Sequence, residues 1–281
     1  MLNRIGISTD ELHSAAPIGL DIPEEWPRRS LEQNRMKKPE AGQPNVAIRK
    51  NAEFFAENDW YKSNQGRLEM YRLIAEAATQ EVKTANSLLD IGNGGIFIFP
   101  IDHIALVEAI DLFVDESFSD RYPEVHWRKM SVLDLEDSER FDTIVVTNCL
   151  HHVTGRNVTQ CYQNLSRILE VTFRALQPEG RLVVIESTVP DWFLAFYKLI
   201  FPVLLKVWPL SHPATFQYHY RDIDRAADAV GFQREETAWI PKTGNIMTLG
   251  LELPAWLTPI RVGKFVYKKP ARLGTPARPQ V

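Results

Sequence analysis

Short runs of apolar and β-branched residues recur along the middle of the chain, each bounded by polar or turn-forming positions. Runs of this kind, about four to eight residues long, are typical of buried β-strands. They predict five strands, at residues 87–91, 104–111, 125–130, 141–147 and 181–186. Two later runs, at residues 232–240 and 262–267, predict two more strands, so the expected sheet has seven.

Helical periodicity separates several of these runs. Apolar residues at three- and four-residue steps predict helices at residues 51–84, 157–176 and 222–230. The second of these helices is expected to end at a turn formed by residues 177–180. Strands that alternate with helices in this way form parallel sheets. The pattern therefore predicts an α/β, Rossmann-like fold in which a mostly parallel seven-stranded sheet carries helices on both faces.

The segments outside this regular part have a different character. Residues 1–50 are rich in proline and charge without any period, which predicts a loosely structured N-terminal arm. Residues 51–270 are predicted to form one domain, and the basic residues 271–281 a disordered tail. Within the domain, residues 187–220 are dense in aromatic side chains. We expect this insertion to form a helical, aromatic lid over the carboxyl edge of the sheet.

Composition narrows the functional classes. The 281 residues include 32 Lys and Arg against 36 Asp and Glu, which gives a formal net charge of −4. This charge balance predicts that the protein does not bind nucleic acid. The two cysteines, Cys149 and Cys161, fit neither a disulfide framework nor a metal site, and residues 1–17 lack the apolar stretch of a signal peptide. Two lysines and a proline interrupt the apolar residues 192–210, so no stable membrane insertion is expected. These features predict a cytoplasmic protein.

A glycine-rich turn directly follows the first predicted strand. That strand ends in Asp90 and Ile91, and glycines stand at positions 92, 94 and 95. The next strand ends in a second acidic residue, Asp111. Glycines allow a ligand to approach the backbone, and a carboxylate after the second strand can accept hydrogen bonds from a ribose diol. The two features together predict a nucleoside pocket, whereas glycines alone would indicate only a tight turn.

The kind of nucleoside follows from the residues after the turn. A dinucleotide site needs a helix whose N-terminus holds the pyrophosphate. Residues 97–100 are Phe-Ile-Phe-Pro, and the second strand begins too soon for a full helix. This spacing disfavours a nicotinamide-dependent oxidoreductase and favours a nucleoside without phosphate, of which S-adenosylmethionine is the commonest.

The chain resembles the class I S-adenosylmethionine-dependent methyltransferases, in particular those that act on small molecules. The matching motifs are Asp-x-Gly-x-Gly at residues 90–94, the acidic Asp111, Phe-Asp followed by Leu-His-His at 141–152, and Leu-Gln-Pro-Glu-Gly at 176–180. The resemblance implies S-adenosylmethionine as cofactor. It also implies a set of cofactor-binding residues: Asp90, Gly92, Asn93, Gly94, Asp111, Leu112, Ser131, Val132 and Asn148.

Three departures from the family pattern leave an alternative open. The third glycine, Gly95, stands one place early, and the helix between the first two strands is shortened. Ser131 occupies a position where the family often has Asp for the adenine amino group. The alternative to a methyltransferase is a scaffold of the same fold that acts as a non-methylating cyclase or a binding protein.

Candidate residues for the chemistry lie after the fourth and fifth strands and in the lid. We predict His152 or His219 as the base for a hydroxyl acceptor, and Glu186 as the carboxylate that a carbon acceptor would need. Aromatic residues of the lid predict a lipophilic small-molecule acceptor, with oxygen or carbon methylation left open. The predicted substrate-binding residues are Trp192, Phe196, Tyr218 and Tyr220. Equally, the aromatic stripe could pack on the domain or join two subunits of a homodimer.

Overall fold

A computed structural model describes residues 69–207, 215–241, 244–246, 251–254 and 258–271 of the chain. The predicted N-terminal arm, the predicted helix before residue 69 and the tail after residue 271 lie outside the described residues. The domain boundaries proposed from the sequence therefore stay predictions. In the part of the chain that is described, no helix is both long enough and apolar enough to cross a membrane.

The central element is a seven-stranded sheet in the order β3-β2-β1-β4-β5-β9-β6. Its strands are β1 Ser87–Ile91, β2 Leu106–Asp111, β3 His126–Lys129, β4 Phe141–Thr147, β5 Leu176–Thr188, β6 Gln233–Ile240 and β9 Arg261–Lys268. A separate two-stranded sheet pairs β7 Gly244–Ile246 with β8 Leu251–Leu253. Strand β9 runs antiparallel to both of its neighbours, and the remaining strands are mutually parallel. The predicted mostly parallel sheet is confirmed.

Helices cover both faces of this sheet, as the sequence predicts. They are α1 Glu69–Val82, α2 Glu116–Arg121, α3 Val158–Ala175, α4 Asp191–Val207 and α5 Tyr220–Ala229. Helix α1 packs on one face, and α3 and α5 pack on the other. Helix α3 begins where the sequence predicts, because the side chain of Asn157 caps it by accepting a hydrogen bond of 2.9 Å from the backbone N–H of Gln160.

The connection between β1 and β2 contains no helix at all. Residues 92–105 instead cover one face of the sheet with buried apolar side chains, among them Phe99, Ile101 and Ile104. Phe97 packs edge-on against Tyr122, with ring centroids 5.1 Å apart. Aromatic and branched side chains thus do the covering that a crossover helix does in most βαβ units.

Strand β5 is longer than predicted. Residue Phe141 pairs with Leu176, and Thr143 pairs with Arg181, so the residues 177–180 of the predicted turn are looped out within the strand. Glu179 has a φ of 67°, as expected of a tight turn. At its other end β5 continues to Thr188, because its whole second half pairs with β9.

Charged side chains join α1 to the sheet. The carboxylate of Glu81 on α1 lies 2.5 Å from the Nζ atom of Lys264 on β9 and 2.6 Å from a guanidinium nitrogen of Arg181 on β5. Glu81 and Lys264 are both buried. These ion pairs connect elements that are far apart in the sequence, and no periodicity of the chain predicts them.

The apolar connection between β1 and β2 gives a stability prediction. Phe99→Ala should lower the free energy of unfolding by about 3–5 kcal/mol, because Phe99 is buried and its removal leaves a cavity beneath the sheet. Leu106→Ala is the matched control, since Leu106 is exposed at the end of the same connection and should cost under about 1 kcal/mol. Urea denaturation of both variants measures the difference, and equal costs would contradict the covering role of this segment.

Candidate cofactor site and active site

The carboxyl ends of four neighbouring strands bring the predicted site residues to one edge of the sheet. Strands β2, β1, β4 and β5 lie side by side and run in the same direction. The site residues stand within two residues of these carboxyl ends: Asp111 on β2, Asp90 on β1, Asn148 after β4 and Glu186 on β5. The chain reverses its direction of winding between β1 and β4, and open α/β sheets bind their ligands at such a point.

The surroundings of the three glycines after β1 differ. All three have positive φ, at 72° for Gly92, 66° for Gly94 and 84° for Gly95. A Cβ on Gly92 would collide with the Sγ atom of Cys149, and one on Gly95 would collide with the ring of Phe118. A Cβ on Gly94 would meet no atom within 4 Å. Gly94 therefore borders open space, and the displaced Gly95 is required by the ring packed against it.

Asp111 connects the end of β2 to the glycine turn. One carboxylate oxygen accepts a hydrogen bond of 2.9 Å from the backbone N–H of Gly94. The other accepts one of 2.9 Å from the N–H of Phe113. The position of Asp111 beside Gly94 is the one predicted for a ribose-binding acid.

Asp90 is buried beneath the same turn and faces Asn93. The Nδ2 atom of Asn93 donates to the carboxyl of Asp90 at 2.5 Å. Burial raises the pKa of Asp90 to about 7, helped by the negative charge of Asp111 and opposed by the hydrogen bond from Asn93. The Oδ1 atom of Asn93 is buried without a hydrogen-bond partner among the described residues. The turn thus contains an acceptor that a bound N–H or O–H group would satisfy.

The other residues predicted to bind the cofactor flank this turn. Ser131 caps a short 3₁₀ turn, Val132–Asp134, and its side chain accepts from the N–H of Leu133 at 3.2 Å. Val132 is buried and Leu112 is half-buried. Asn148 directly follows β4 with a φ of 47°, and its N–H donates to the carbonyl of Ile185 at 2.8 Å. All four residues thus lie near the carboxyl edge of the sheet. The contacts of these residues with a cofactor stay predictions.

Glu186 occupies a position different from the one that its predicted role requires. Its side chain is fully buried at the end of β5. Its oxygens accept from the backbone N–H of Leu150 at 2.7 Å, of His151 at 3.4 Å and of Ser187 at 2.7 Å, and lie 2.6 Å from the Nδ1 atom of His151. Protein donors therefore surround the carboxylate. This enclosure is a physical reason against direct contact with a substrate, and the predicted role of Glu186 stays a prediction.

The two histidines predicted as bases differ in their surroundings. The ring of His152 stacks at a tilt on that of His151, with centroids 4.0 Å apart. Burial, followed by the charge of His151, lowers the pKa of His152 well below the usual value, so this ring is neutral at pH 7. Its role as base stays a prediction.

His219 is a capping residue of α5. Its Nδ1 atom accepts from the N–H of Arg221 at 3.2 Å, and its Nε2 atom lies 3.4 Å from a carboxylate oxygen of Asp191. Because Nδ1 accepts, Nε2 holds the proton of the neutral ring and points it at Asp191. Burial lowers the pKa of His219, against the opposing effect of Asp191. This arrangement uses both nitrogens in local structure, which is a physical reason against the predicted role as base.

The predicted substrate-binding aromatics divide into two groups. Trp192 and Phe196 lie on the outer face of α4, where 57% and 56% of their surfaces are exposed. Tyr220 is half-buried and packs edge-on against Trp239. Tyr218 is a core residue whose hydroxyl donates to the carbonyl of Cys161 at 2.9 Å. This burial is a physical reason against the predicted substrate contact of Tyr218, which stays a prediction.

Part of the predicted lid is helical, as expected. Helix α4 covers residues Asp191–Val207, and residues 208–214 lie outside the described residues. Its inner face packs Leu194, Tyr197 and Phe201 into the domain. These contacts involve only the inner face of α4. The predicted lid function of its outer face stays a prediction.

Sequence reasoning missed one residue of this edge, His151. The motif Leu-His-His contains two adjacent histidines, and pattern alone does not say which one turns toward β5. The signal that could have found it is topological, because β4 and β5 are neighbours and the residues just after β4 must lie near the end of β5.

No protein-family model matches the sequence, and neither does any curated protein. Solved structures do match it. The 1,6-didemethyltoxoflavin-N1-methyltransferase of Burkholderia thailandensis, solved with its substrate and S-adenosylhomocysteine, superposes over 80% of this chain and 88% of its own, with a TM-score of 0.52 and 15% identity. The chain has the fold of the class I methyltransferases. This methyltransferase fold is the one that the sequence motifs imply.

A second solved structure matches less closely. The geranyl diphosphate C-methyltransferase of Streptomyces coelicolor covers 70% of this chain and 76% of its own, with 14% identity and a TM-score of 0.49. The first match, at 15% identity, establishes the methyltransferase fold alone. Within the residues that the structure describes, no cluster of three or more His, Cys, Asp or Glu side chains is placed to hold a metal ion.

The raised pKa of Asp90 predicts a pH-dependent stability. In the unfolded chain this carboxyl ionises near pH 4, and in the folded protein near pH 7, so the folded state binds the extra proton between these values. Stability should therefore fall as pH rises from about 4 to 7, by up to about 4 kcal/mol. Asp90→Asn should lack this component.

Urea denaturation between pH 5 and pH 8, compared for the wild type and the variant, measures this effect. Asp102→Asn provides the control, since Asp102 is exposed. Parallel stability profiles for the wild type and Asp90→Asn would show that Asp90 ionises normally in the fold.

Proposed function

We propose that this protein is an S-adenosylmethionine-dependent methyltransferase that acts on a lipophilic small molecule. The observation that supports this most directly is the open space at Gly94, bordered by the carboxylate of Asp111, at the switch point of a methyltransferase fold. The solved structure from Burkholderia thailandensis contains S-adenosylhomocysteine, which agrees with the proposed cofactor.

The residues of the turn fit this cofactor. The carboxylate of Asp111 would accept hydrogen bonds from the ribose hydroxyls, as acids at the end of the second strand do in nucleoside sites. The orphaned Oδ1 atom of Asn93 would accept from the ammonium group of the methionine part. The half-buried Leu112 would offer apolar surface for the adenine. No helix follows the turn to hold a pyrophosphate, which is the reason to prefer this cofactor over a dinucleotide.

The chain's own contribution to the reaction is binding, orientation and exclusion of water. S-adenosylmethionine supplies the methyl group on a positively charged sulfur when it is bound. Asp90 and Asp111 place two carboxyl groups at the glycine turn, which favours a cationic ligand there. The rest of the effect is expected from alignment of the acceptor with the methyl carbon, since in-line transfer depends chiefly on position.

The acceptor side of the proposal depends on α4. This helix begins at Asp191, shortly after β5 ends at Thr188, so its first turn is close to the carboxyl edge. Trp192 and Phe196 expose large apolar surfaces, which soluble proteins rarely leave open without a ligand or partner. We infer that they contact a lipophilic acceptor.

Cofactor binding is tested with S-adenosylhomocysteine. At a hundredfold excess over its dissociation constant it should stabilise the fold by about 2.7 kcal/mol. Asp111→Asn should weaken its binding roughly 10- to 150-fold, the equivalent of about 1.5–3 kcal/mol for lost hydrogen bonds to a charged group. Asp120→Asn, an exposed residue of α2, should bind normally. Titration calorimetry measures the affinities.

The outcomes of that titration separate the candidate functions. Absence of binding to the wild type would refute the proposed cofactor. Binding without transfer of labelled methyl groups to any lipophilic acceptor would favour the alternative, a non-methylating cyclase or binding protein.

The apolar face of α4 is tested by comparing its two ends. Trp192→Ala should raise the KM for a lipophilic acceptor about 10-fold, because it removes a contact that the acceptor makes equally in the ground state and in the transition state. The affinity for S-adenosylhomocysteine should stay unchanged. Val203→Ala is the control, since Val203 is equally exposed but lies about 16 Å further along the helix. Transfer of labelled methyl groups measures both, and an unchanged KM for Trp192→Ala would remove this residue from the acceptor site.

A further inference from the structure

His151 lies between the buried end of β5 and the open carboxyl edge. Its Nδ1 atom is 2.6 Å from Oε1 of Glu186, and 13% of its side chain is exposed. An ionised carboxylate can only accept hydrogen bonds, so Nδ1 must hold a proton. In the neutral ring the other nitrogen, Nε2, then has a free lone pair. The contact with Glu186 therefore determines which nitrogen of His151 is basic.

The backbone around His151 is held by the same carboxylate. Glu186 accepts from the N–H groups of Leu150 and His151, which fixes the short 3₁₀ turn Leu150–His152 to β5. From the other side, the N–H of Phe216 donates to the carbonyl of His151 at 2.8 Å. Ring and backbone are thus fixed together, as is required of a group that must meet a substrate in one orientation.

We propose that His151, oriented by Glu186, is the base that removes a proton from the methyl acceptor, and that the acceptor is therefore an O–H or N–H group. This inference rests on the proposed methyltransferase function. It assigns His151 as a catalytic residue and Glu186 as a positioning residue, whereas the sequence predicts His152 or His219 as the base and Glu186 as the carboxylate for a carbon acceptor.

The transfer step balances with these groups. The acceptor oxygen or nitrogen forms a bond to the methyl carbon, while the bond from that carbon to sulfur breaks and its electron pair stays on sulfur. The acceptor's proton moves to Nε2 of His151. The ring becomes an imidazolium that the carboxylate of Glu186 stabilises across the Nδ1 hydrogen bond.

A carbon acceptor fits this edge less well. An alkene develops positive charge on carbon as it is methylated, and that charge needs a nearby carboxylate with an exposed oxygen. Glu186 is fully buried and its oxygens are occupied by N–H donors. The same feature that makes Glu186 a good orienting group makes it unavailable to a substrate cation.

Two titratable groups on the same turn as His151 stay uncharged at pH 7. His152 stacks on its ring, and burial keeps the pKa of His152 well below the usual value. Cys149, two residues earlier, has a thiol pKa raised well above the usual value by burial and by the charges of Asp111, Glu186 and Asp90. On the β5 side, the hydroxyl of Ser187 donates to the side-chain oxygen of Gln217 at 2.9 Å. Both of these groups are neutral. Glu186 is the acidic residue that directly contacts the ring of His151.

The first test needs no acceptor. The full chain, labelled with ¹⁵N in its histidines and saturated with S-adenosylhomocysteine, is titrated by NMR, and His151 is assigned by its loss in His151→Gln. We expect the neutral ring to hold its proton on Nδ1. In Glu186→Gln the ring should become protonated only at lower pH than in the wild type, because a negative charge beside it has been removed. A proton on Nε2 would overturn the proposal whatever the acceptor is.

The second test is kinetic, with labelled methyl groups and a set of lipophilic phenols, heteroaromatic N–H compounds and prenyl alkenes. His151→Ala should lower turnover about 10²- to 10⁴-fold and leave the affinity for S-adenosylhomocysteine unchanged. Glu186→Gln should move the acidic limb of the pH profile to lower pH. His126→Ala is the control, because this exposed histidine starts β3 at the opposite edge of the sheet.

The results distinguish this inference from the proposed function. Normal turnover in His151→Ala, or methylation of the alkenes alone, would overturn the role of His151 while the methyltransferase function stands. Failure of the wild type to bind S-adenosylhomocysteine would overturn both. Turnover of phenols or N–H compounds that depends on His151, with the shifted profile in Glu186→Gln, would support it.

Discussion

The fully buried carboxylate of Glu186 is the interaction on which the carboxyl edge depends. Burying an ionised carboxylate costs several kcal/mol unless donors compensate for the lost water. Here the donors come from β5 itself and from the turn after β4, so the cost is offset only when that turn has its observed shape. The turn after β4 also places Cys149 against Gly92, and Gly92 begins the predicted cofactor loop. One carboxylate thus links the two halves of the site.

Three acidic residues share this edge, and each is accommodated differently. Asp111 receives two backbone N–H groups, Glu186 is enclosed by donors, and Asp90 has little compensation and a pKa of about 7. A cation bound beside them would favour the ionised form of Asp90. The edge is consequently better suited to a positively charged ligand than to a phosphate, in agreement with the missing crossover helix.

The fold was largely predictable, since β1 and β4 are apolar runs whose ends coincide with turn residues, and Asn157 marks the start of α3. The extension of β5 was not, because it arises from pairing with a strand far along the chain. Side-chain roles were harder. Nothing in the pattern distinguishes His151 from His152, or the buried Tyr218 from the exposed Trp192, because neighbouring elements decide which way each ring points.

The position of β9 between β5 and β6 has a consequence for biosynthesis. Strand β6 precedes β9 in the chain yet pairs with no other strand of the main sheet. While the polypeptide emerges from the ribosome, the outer edge of β5 is therefore unpaired, with Val183 and Ile185 in it, until the residues of β9 arrive. Unpaired apolar edges invite association with other chains. The nascent protein is therefore most exposed to aggregation between the synthesis of β5 and the synthesis of β9.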